Sequence, residues 1–306
     1  MNAPNITVIG SLNMDIVVES DRFPVQGETL LGKAIRFLPG GKGANQAVAS
    51  ARLGASTRMI GAVGDDSFGR ELLQALTNEG IVCEGVRAFP DATTGIANIF
   101  VSQGDNSIIV LSGANHLLNP EDIDRIKLAI EQADIVLLQL EIPLETVSHA
   151  AKLAKSFGKT VVLNPAPAQP LPESLLRDVD YITPNRTELS LLTGFSENDD
   201  LEASMRKLIG MGARHVITTL GSEGSAFIEA SGPLVKVPGY KVPVVDTTGA
   251  GDSFNAALAY SLAQRKSLEE SVSFAAKVSA LAVTKFGAQP GMPTLEEVEQ
   301  FTTRMR

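Results

Sequence analysis

Residues 246 to 254 read Asp246-Thr247-Thr248-Gly249-Ala250-Gly251-Asp252-Ser253-Phe254, and an apolar run with helical spacing follows. A glycine-rich turn here delivers a carboxylate to the start of a helix. The free N–H groups of a first helical turn bind anionic oxygens, glycine lets the backbone approach them, and an adjacent carboxylate can take a proton from an attacking hydroxyl. Those are the parts of a phosphoryl-transfer site, with Asp252 as candidate base. An ordinary loop-to-helix junction with an acidic first turn would read the same way. The better-known phosphate motifs are absent. Lys42 in Gly40-Gly41-Lys42-Gly43 is followed by glycine rather than Ser or Thr, and Phe254 stands where a dinucleotide turn needs its third glycine.

Three further polar clusters could hold a polyol. In Gly10-Ser11-Leu12-Asn13-Met14-Asp15, an extended chain puts Asn13 and Asp15 on one side. Pro39-Gly40-Gly41-Lys42-Gly43-Ala44-Asn45 is a glycine-rich turn into a helix, where the amides of Gly41 and Gly43, the Lys42 ammonium and the Asn45 amide can meet sugar hydroxyls. Glu141 follows the apolar run ending Leu138-Gln139-Leu140, at the carboxyl edge where open α/β sheets bind ligands. Each cluster also has a plain reading as a turn former, a loop or a solvated side chain. The histidines 116, 149 and 215 lack ligand spacing, which argues against a zinc site.

These residues need elements to position them. Short β-rich runs at 6–9, 58–63, 135–138, 160–163, 181–183 and 215–218 alternate with helical patterns at 45–53, 69–79, 120–131, 144–157, 188–193, 201–211 and 252–264. That alternation predicts an α/β fold, a mostly parallel sheet with helices on both faces. Gly54, Gly80, Gly158 and Gly212 mark helix ends. Phe254, Leu258 and Leu262, at helical spacing, read as core. Two segments instead alternate like hairpins, 16–37 and 96–111, the second around Gln103-Gly104-Asp105-Asn106. They predict a small second sheet, a lid over a cleft or a surface for another subunit, within one continuous domain spanning 1–306.

With 306 residues and 44% hydrophobic content the chain can bury a large core. A formal charge of −9 argues against nucleic acid or an anionic membrane as partner, and a small molecule fits better. Cys83 is the only cysteine, so no disulfide or thiolate metal cluster is expected. With no basic, apolar leader in Met1-Asn2-Ala3-Pro4-Asn5 and no run of membrane-spanning length, the expected location is the cytoplasm.

Together, Gly40-Gly41-Lys42-Gly43-Ala44-Asn45-Gln46-Ala47 and Asp246 to Phe254 resemble the two signatures of the ribokinase-type (PfkB) carbohydrate kinases. The resemblance runs over essentially the whole chain. Gly10 to Asp15, Asn164-Pro165-Ala166-Pro167-Ala168, Thr183-Pro184-Asn185-Arg186-Thr187-Glu188, Thr219-Leu220-Gly221-Ser222-Glu223-Gly224 and Gly287-Ala288-Gln289-Pro290 stand in the family's order. It implies a ribokinase-like three-layer sandwich with a β-lid, from about 12–40 and 94–112, that also forms a homodimer contact. It implies ATP-dependent phosphorylation of D-ribose at O5, with Asn13, Asp15, Gly41, Lys42, Gly43, Asn45 and Glu141 on the sugar and Asp252 as base. By the same resemblance the backbone N–H groups of Gly249, Ala250 and Gly251 donate to the phosphoryl group, Asn185 and Glu188 organise the phosphates and Mg2+ through water, and Thr219, Leu220, Gly221, Ser222, Glu223 and Gly224 wrap the nucleotide. Asp246, Thr248, Ala282, Lys285 and Gly287 match a monovalent-cation site, usually for K+.

Two positions depart from the family's pattern. Gly291 stands where a serine can offer the cation an oxygen, and Ala276 where a His or Asn can approach the adenine. An Asp at a helix N-terminus is expected to be ionised and, in water, a weak base. Another acceptor (deoxyribose, fructose, a keto-deoxy acid or a nucleoside) and a sugar sensor without turnover are the alternative readings. An oxidoreductase lacks its fingerprint.

Overall fold

The computed structural model describes residues 3–103 and 105–305. Its strands are β1 (Asn5–Ile9), β2 (Asn13–Glu19), β3 (Ala34–Gly40), β4 (Ser56–Gly64), β5 (Val82–Phe89), β6 (Gly95–Ser102), β7 (Asp105–Leu111), β8 (Ile135–Leu138), β9 (Thr160–Leu163), β10 (Tyr181–Ile182), β11 (His215–Thr219), β12 (Gly224–Glu229) and β13 (Val235–Pro238). The helices are α1 (Lys42–Arg52), α2 (Ser67–Asn78), α3 (Pro120–Arg125), α4 (Lys127–Glu131), α5 (Leu144–Ser156), α6 (Glu173–Arg177), α7 (Arg186–Thr193), α8 (Leu201–Gly210), α9 (Ala250–Ala263), α10 (Leu268–Ala282), α11 (Ala288–Gly291) and α12 (Leu295–Met305).

Among the described residues nine strands form one sheet in the order β13-β12-β11-β10-β9-β8-β1-β4-β5, parallel except for the antiparallel β12 and β13. Period-two alternation feeds two cores. Ile6, Val8, Leu137, Val162 and Ile217 face α1, α9 and α10, while Ile9, Val136, Leu138, Val161 and Val216 face α5 and α8. The result is the expected three-layer sandwich. Phe254 and Leu258 are buried and Leu262 packs against the same core. Gly54, Gly80, Gly158 and Gly212 follow their helices with positive φ.

The site lies where strand order reverses. From β1 the sheet grows through β4 on one side and through β8 on the other, so the loops after β1 and β8 diverge and leave a crevice at the carboxyl edge. Ser11 Oγ closes its floor, donating to Glu141 Oε2 at 2.5 Å. The four-stranded sheet β3-β2-β6-β7 stands over this edge as the lid. It joins two antiparallel hairpins through a parallel β2–β6 pair. Gly104, in the turn expected between β6 and β7, lies outside the described residues.

Boundaries differ in three places. The helix expected at 120–131 is two, because Ile126 bonds back to Ile123 and both Ile123 and Ile130 then reach the core. The helix expected from Asn45 begins at Lys42, with Gly41 as its cap at φ 88°. β5, β12, β13, α10 and α12 add to the expected set.

Gly43, expected at the sugar, instead packs α1 on the loop after β1: a Cβ there would sit 2.6 Å from the carbonyl carbon of Gly10 and the nitrogen of Ser11. Alanine suits a helix interior better than glycine by about 1 kcal/mol, so only this clash opposes it. Gly43→Ala is expected to destabilise by about 2 kcal/mol or more. At Gly158, where a Cβ meets nothing within 4 Å, alanine should cost only about 1 kcal/mol of backbone strain. Urea-unfolding midpoints of the two variants check the order.

Candidate active site

The turn Thr247-Thr248-Gly249 swings into α9 through Gly249, the helix cap in the left-handed region at φ 77°. Asp252 therefore sits in the first turn, 7% exposed. Two consecutive side chains of α1 hold it: Asn45 Nδ2 donates to Oδ2 at 2.9 Å and Gln46 Nε2 to Oδ1 at 3.1 Å. Burial pushes the Asp252 carboxyl up, against the Lys42 ammonium and these two donors, with Glu141 adding to the rise. Out of water Asp252 is thus a stronger base than it would be in solution, because loss of water outweighs the helix N-terminus.

Around it lies a cavity of about 640 Å³. Asn13, Asp15, Gly41, Lys42, Asn45, Glu141 and Asp252 line it, with Ala97, Ile99, Ile108 and Val110 of the lid above. Gln289 Nε2 donates to Asn45 Oδ1 at 3.2 Å. Asn115 Nδ2 donates to Asn13 Oδ1 at 2.8 Å, while Asn115 Oδ1 accepts from the Leu12 N–H, so Asn13 turns its own donor group to the cavity. Glu141 Oε2 also accepts from the Lys42 N–H at 3.1 Å, seating a carboxylate on the start of α1. For the Lys42 ammonium burial opposes the charge, and Asp252, Glu141, Glu188 and Asp15 outweigh it and raise its pKa.

A second cavity of about 620 Å³ lies on the other side of the same turn. Glycine backbone (Gly221, Gly224, Gly239) and Thr219 and Ser222 form one wall, and Val242, Val244, Ala276, Ala280 and Val283 the other. Thr248, Gly249 and Asp252 face the first cavity, while Thr247, Ala250, Gly251 and Phe254 face the second. Leu220 packs instead into the core, and Glu223 points out to Arg186 at 3.3 Å. Asn185 and Glu188 line neither cavity; they cap α7 reciprocally, Asn185 Oδ1 accepting from the Glu188 N–H and Glu188 Oε2 from the Asn185 N–H. Burial raises the Glu188 carboxyl, against that cap and Lys42.

The residues matched to a cation site fold against the same turn. Asp246 accepts from the N–H and hydroxyl of Thr248 and from the Gly287 N–H, bonds that lower its pKa despite burial. A Cβ at Gly291 would lie 3.0 Å from the Ala282 carbonyl oxygen and 3.7 Å from that of Lys285. The Lys285 ammonium turns away to Glu297 at 2.6 Å.

Sequence reasoning passed over Gln46, Asn115, Gln139, Asn164, Gln289 and His116. The first five are buried amides, and both Asn115 and His116 line the sugar-side cavity from the short helical turn at Gly113–Leu117. Only the Asn-Gln pair following Ala44 hinted at such a network.

Burial pushes Asp15 up to about 7, helped by Glu141 and Asp252 and opposed by Lys42. The unfolded chain releases this proton near pH 4, so between about 4 and 7 the folded state binds more protons and stability falls as pH rises. Asp15→Asn is expected to flatten that slope and to exceed the wild type at pH 8 by up to about 4 kcal/mol, while weakening sugar binding. Unfolding free energies of the two proteins at pH 5 and 8 measure this.

Residues 3–295 match the pfkB family of carbohydrate kinases. The ribokinase of Bacillus subtilis (strain 168) is 43% identical, with 97% of this chain and 98% of that protein covered. A deoxyribokinase of Salmonella typhi is 38% identical over 97% and 98%. The structure of Arabidopsis thaliana ribokinase complexed with ribose and ATP superimposes with a TM-score of 0.93 at 38% identity, covering 98% of each chain. Matched over nearly its full length, this chain belongs to the PfkB family of carbohydrate kinases.

Proposed function

We propose that the protein transfers the γ-phosphoryl group of ATP to O5 of D-ribose, giving ribose 5-phosphate and ADP. One observation carries the reading: the first turn of α9 is a wall of both cavities, so a group passing from one to the other crosses its N–H groups beside Asp252. The sugar hydroxyl attacks the γ-phosphorus as the bond to the β,γ-bridging oxygen breaks. The electron pair leaves with ADP, and the hydroxyl proton goes to Asp252. The amides of Gly249 and Gly251 then face the charge spread over the transferring group, whereas the Ala250 N–H, expected as a third donor, is already given to the Thr247 carbonyl at 3.2 Å. A Cβ at Gly251 or Gly221 would meet nothing within 4 Å, which leaves room for phosphates against the backbone.

Among the described residues no cluster of three or more His, Cys, Asp or Glu could hold a metal. That suits Mg2+ carried in on the phosphates and reached through water by Glu188 and Asn185. When bound, it neutralises phosphate charge. Asp246, Thr248 and the carbonyls of Ala282, Lys285 and Gly287 offer oxygens to a potassium ion, with Gly291 contributing no side-chain ligand. Ile35, Phe37, Ile109 and Leu111 expose apolar surface on the lid face turned from Asp15, which supports a homodimer through the lid. Among the described residues no helix is long and apolar enough to cross a membrane, in keeping with a cytoplasmic sugar kinase.

Asp252→Asn is expected to lower ribose-dependent ADP release by about 10²-fold or more, the scale of a lost general base. A panel of ribose, deoxyribose, fructose and adenosine, with and without potassium, makes the comparison. Wild type that binds ribose yet releases no ADP with any acceptor would be a sensor instead.

Ribokinases and a deoxyribokinase both stand among the relatives, so the 2-hydroxyl discriminates. The Asn13 amide, held with its donor toward the cavity, suits that hydroxyl. Asn13→Met should raise the kcat/KM ratio of deoxyribose over ribose by about tenfold, one hydrogen bond's worth. An unchanged ratio removes Asn13 from that role.

A further inference from the structure

We infer that Gln46 is a positioning residue for the phosphoryl transfer: its amide fixes one oxygen of Asp252 while Asn45 fixes the other, and Gln139 sets which way that amide faces. This rests on the kinase reading above. Gln46 is fully buried and lines neither cavity, so it touches neither sugar nor nucleotide and can act only through its neighbours. Asn45, by contrast, lines the sugar cavity.

The direction of the Gln46 amide follows from its partners. Its Nε2 donates to Asp252 Oδ1 at 3.1 Å and to Asn164 Oδ1 at 3.2 Å, and its Oε1 accepts from Gln139 Nε2 at 2.7 Å. Reversed, it would set one oxygen against two others and one N–H against another. Gln139 has 0% exposure, and among the described residues its Oε1 has no hydrogen-bond partner and fills the space a Cβ on Gly10 would take. A buried acceptor without a donor is destabilising, so the fold retains a costly group whose other end orients Gln46.

Charged groups face Asp252 from every side: Lys42 on α1, Asp15 on β2, Glu141 after β8 and Glu188 on α7. Against three carboxylates and one ammonium, a neutral donor of fixed direction favours the ionised base without adding a cation that would compete for the phosphates. It also holds the carboxylate plane, so the oxygen meeting the sugar hydroxyl keeps its lone pair toward the cavity.

The test uses wild type, Gln46→Leu and Gln139→Leu. Single-turnover phosphorylation of the sugar that wild type uses is followed from pH 5.5 to 9, and affinity for that sugar without ATP is measured by calorimetry. Expected is an acid limb moved up by about one pH unit in Gln46→Leu, with the rate down by up to about tenfold near pH 6 and recovering toward pH 9. Sugar affinity should stay within about threefold, since no sugar contact is lost. Gln139→Leu leaves Gln46 Oε1 without its donor, weakening the hold on an amide that Asp252 and Asn164 still orient, and should move the limb the same way by a smaller step; it decides the matter if Gln46→Leu does not fold. A rate lowered equally at every pH, a profile matching wild type, or sugar affinity lost with the rate retained would each overturn the inference. A wild type inactive on every acceptor would instead sink the kinase reading, so the two failures are distinct.

Discussion

An ionisable carboxylate taken out of water is the constraint around which this molecule is arranged. In the proposed transfer Asp252 gains basicity from burial, and burial alone would neutralise it. The packing of α1 on α9 resolves the conflict by bringing Asn45, Gln46 and Lys42 to the one residue of α9 that needs them. Close approach of the two helices depends in turn on small residues, Ala44, Ala47, Ala256 and Ala257, in their shared core. Gly43 and Gly10 meet for the same reason, since α1 can reach Asp252 only if its first turn lies against the loop after β1.

Sheet topology supplies the rest of the frame. The crevice between the loops after β1 and β8 holds the sugar-side carboxylates, and the next strands extend it, Asn164 following β9, Thr183 β10 and Thr219 ending β11. Thr183 Oγ1 donates to Asn255 Oδ1 at 2.6 Å, and Asn255 Nδ2 donates to the Gly251 carbonyl, so the sheet edge grips the first turn of α9 directly. Ser279 of α10 bonds the Ala250 carbonyl from the other side. The first turn of α9, which the proposed transfer uses as its donor, is therefore fixed before any substrate arrives.

Much of this was legible in the chain, and what escaped has a physical pattern. Central strands such as Val161 to Leu163 are apolar runs because both faces are covered, and Asp252 and Lys42 stood out because glycine turns announced them. Some strands escaped: the edge strand β5 carries Glu84, Gly85 and Arg87 because one side meets water, and β12, one in from the other edge, opens on Gly224 and Ser225. α10 escaped because its alanines and serines lack a strong apolar stripe. The buried amides escaped for a different reason, since Gln139 and Asn164 carry no signal until the fold brings them 93 and 118 residues along the chain to Gln46.

The lid completes the electrostatics rather than merely covering the sugar. Its inner face gives the cavity Asp15 beside Ala97, Ile99, Ile108 and Val110, a carboxylate set among apolar side chains. In water that charge would be cheap; here it rises toward neutral, and a sugar hydroxyl donating to it would restore the ionised form. The lid also touches the machinery through Arg36, whose guanidinium lies 5.1 Å from the ring centre of Phe286, the residue between Lys285 and Gly287. Phe37, one residue on, packs against Phe68 of α2 with ring centres 5.9 Å apart. β3 is thus held at two points on the body, one of them within the loop that bonds Asp246 beneath the α9 turn. The lid and the turn that opens α9 therefore rest on the same loop.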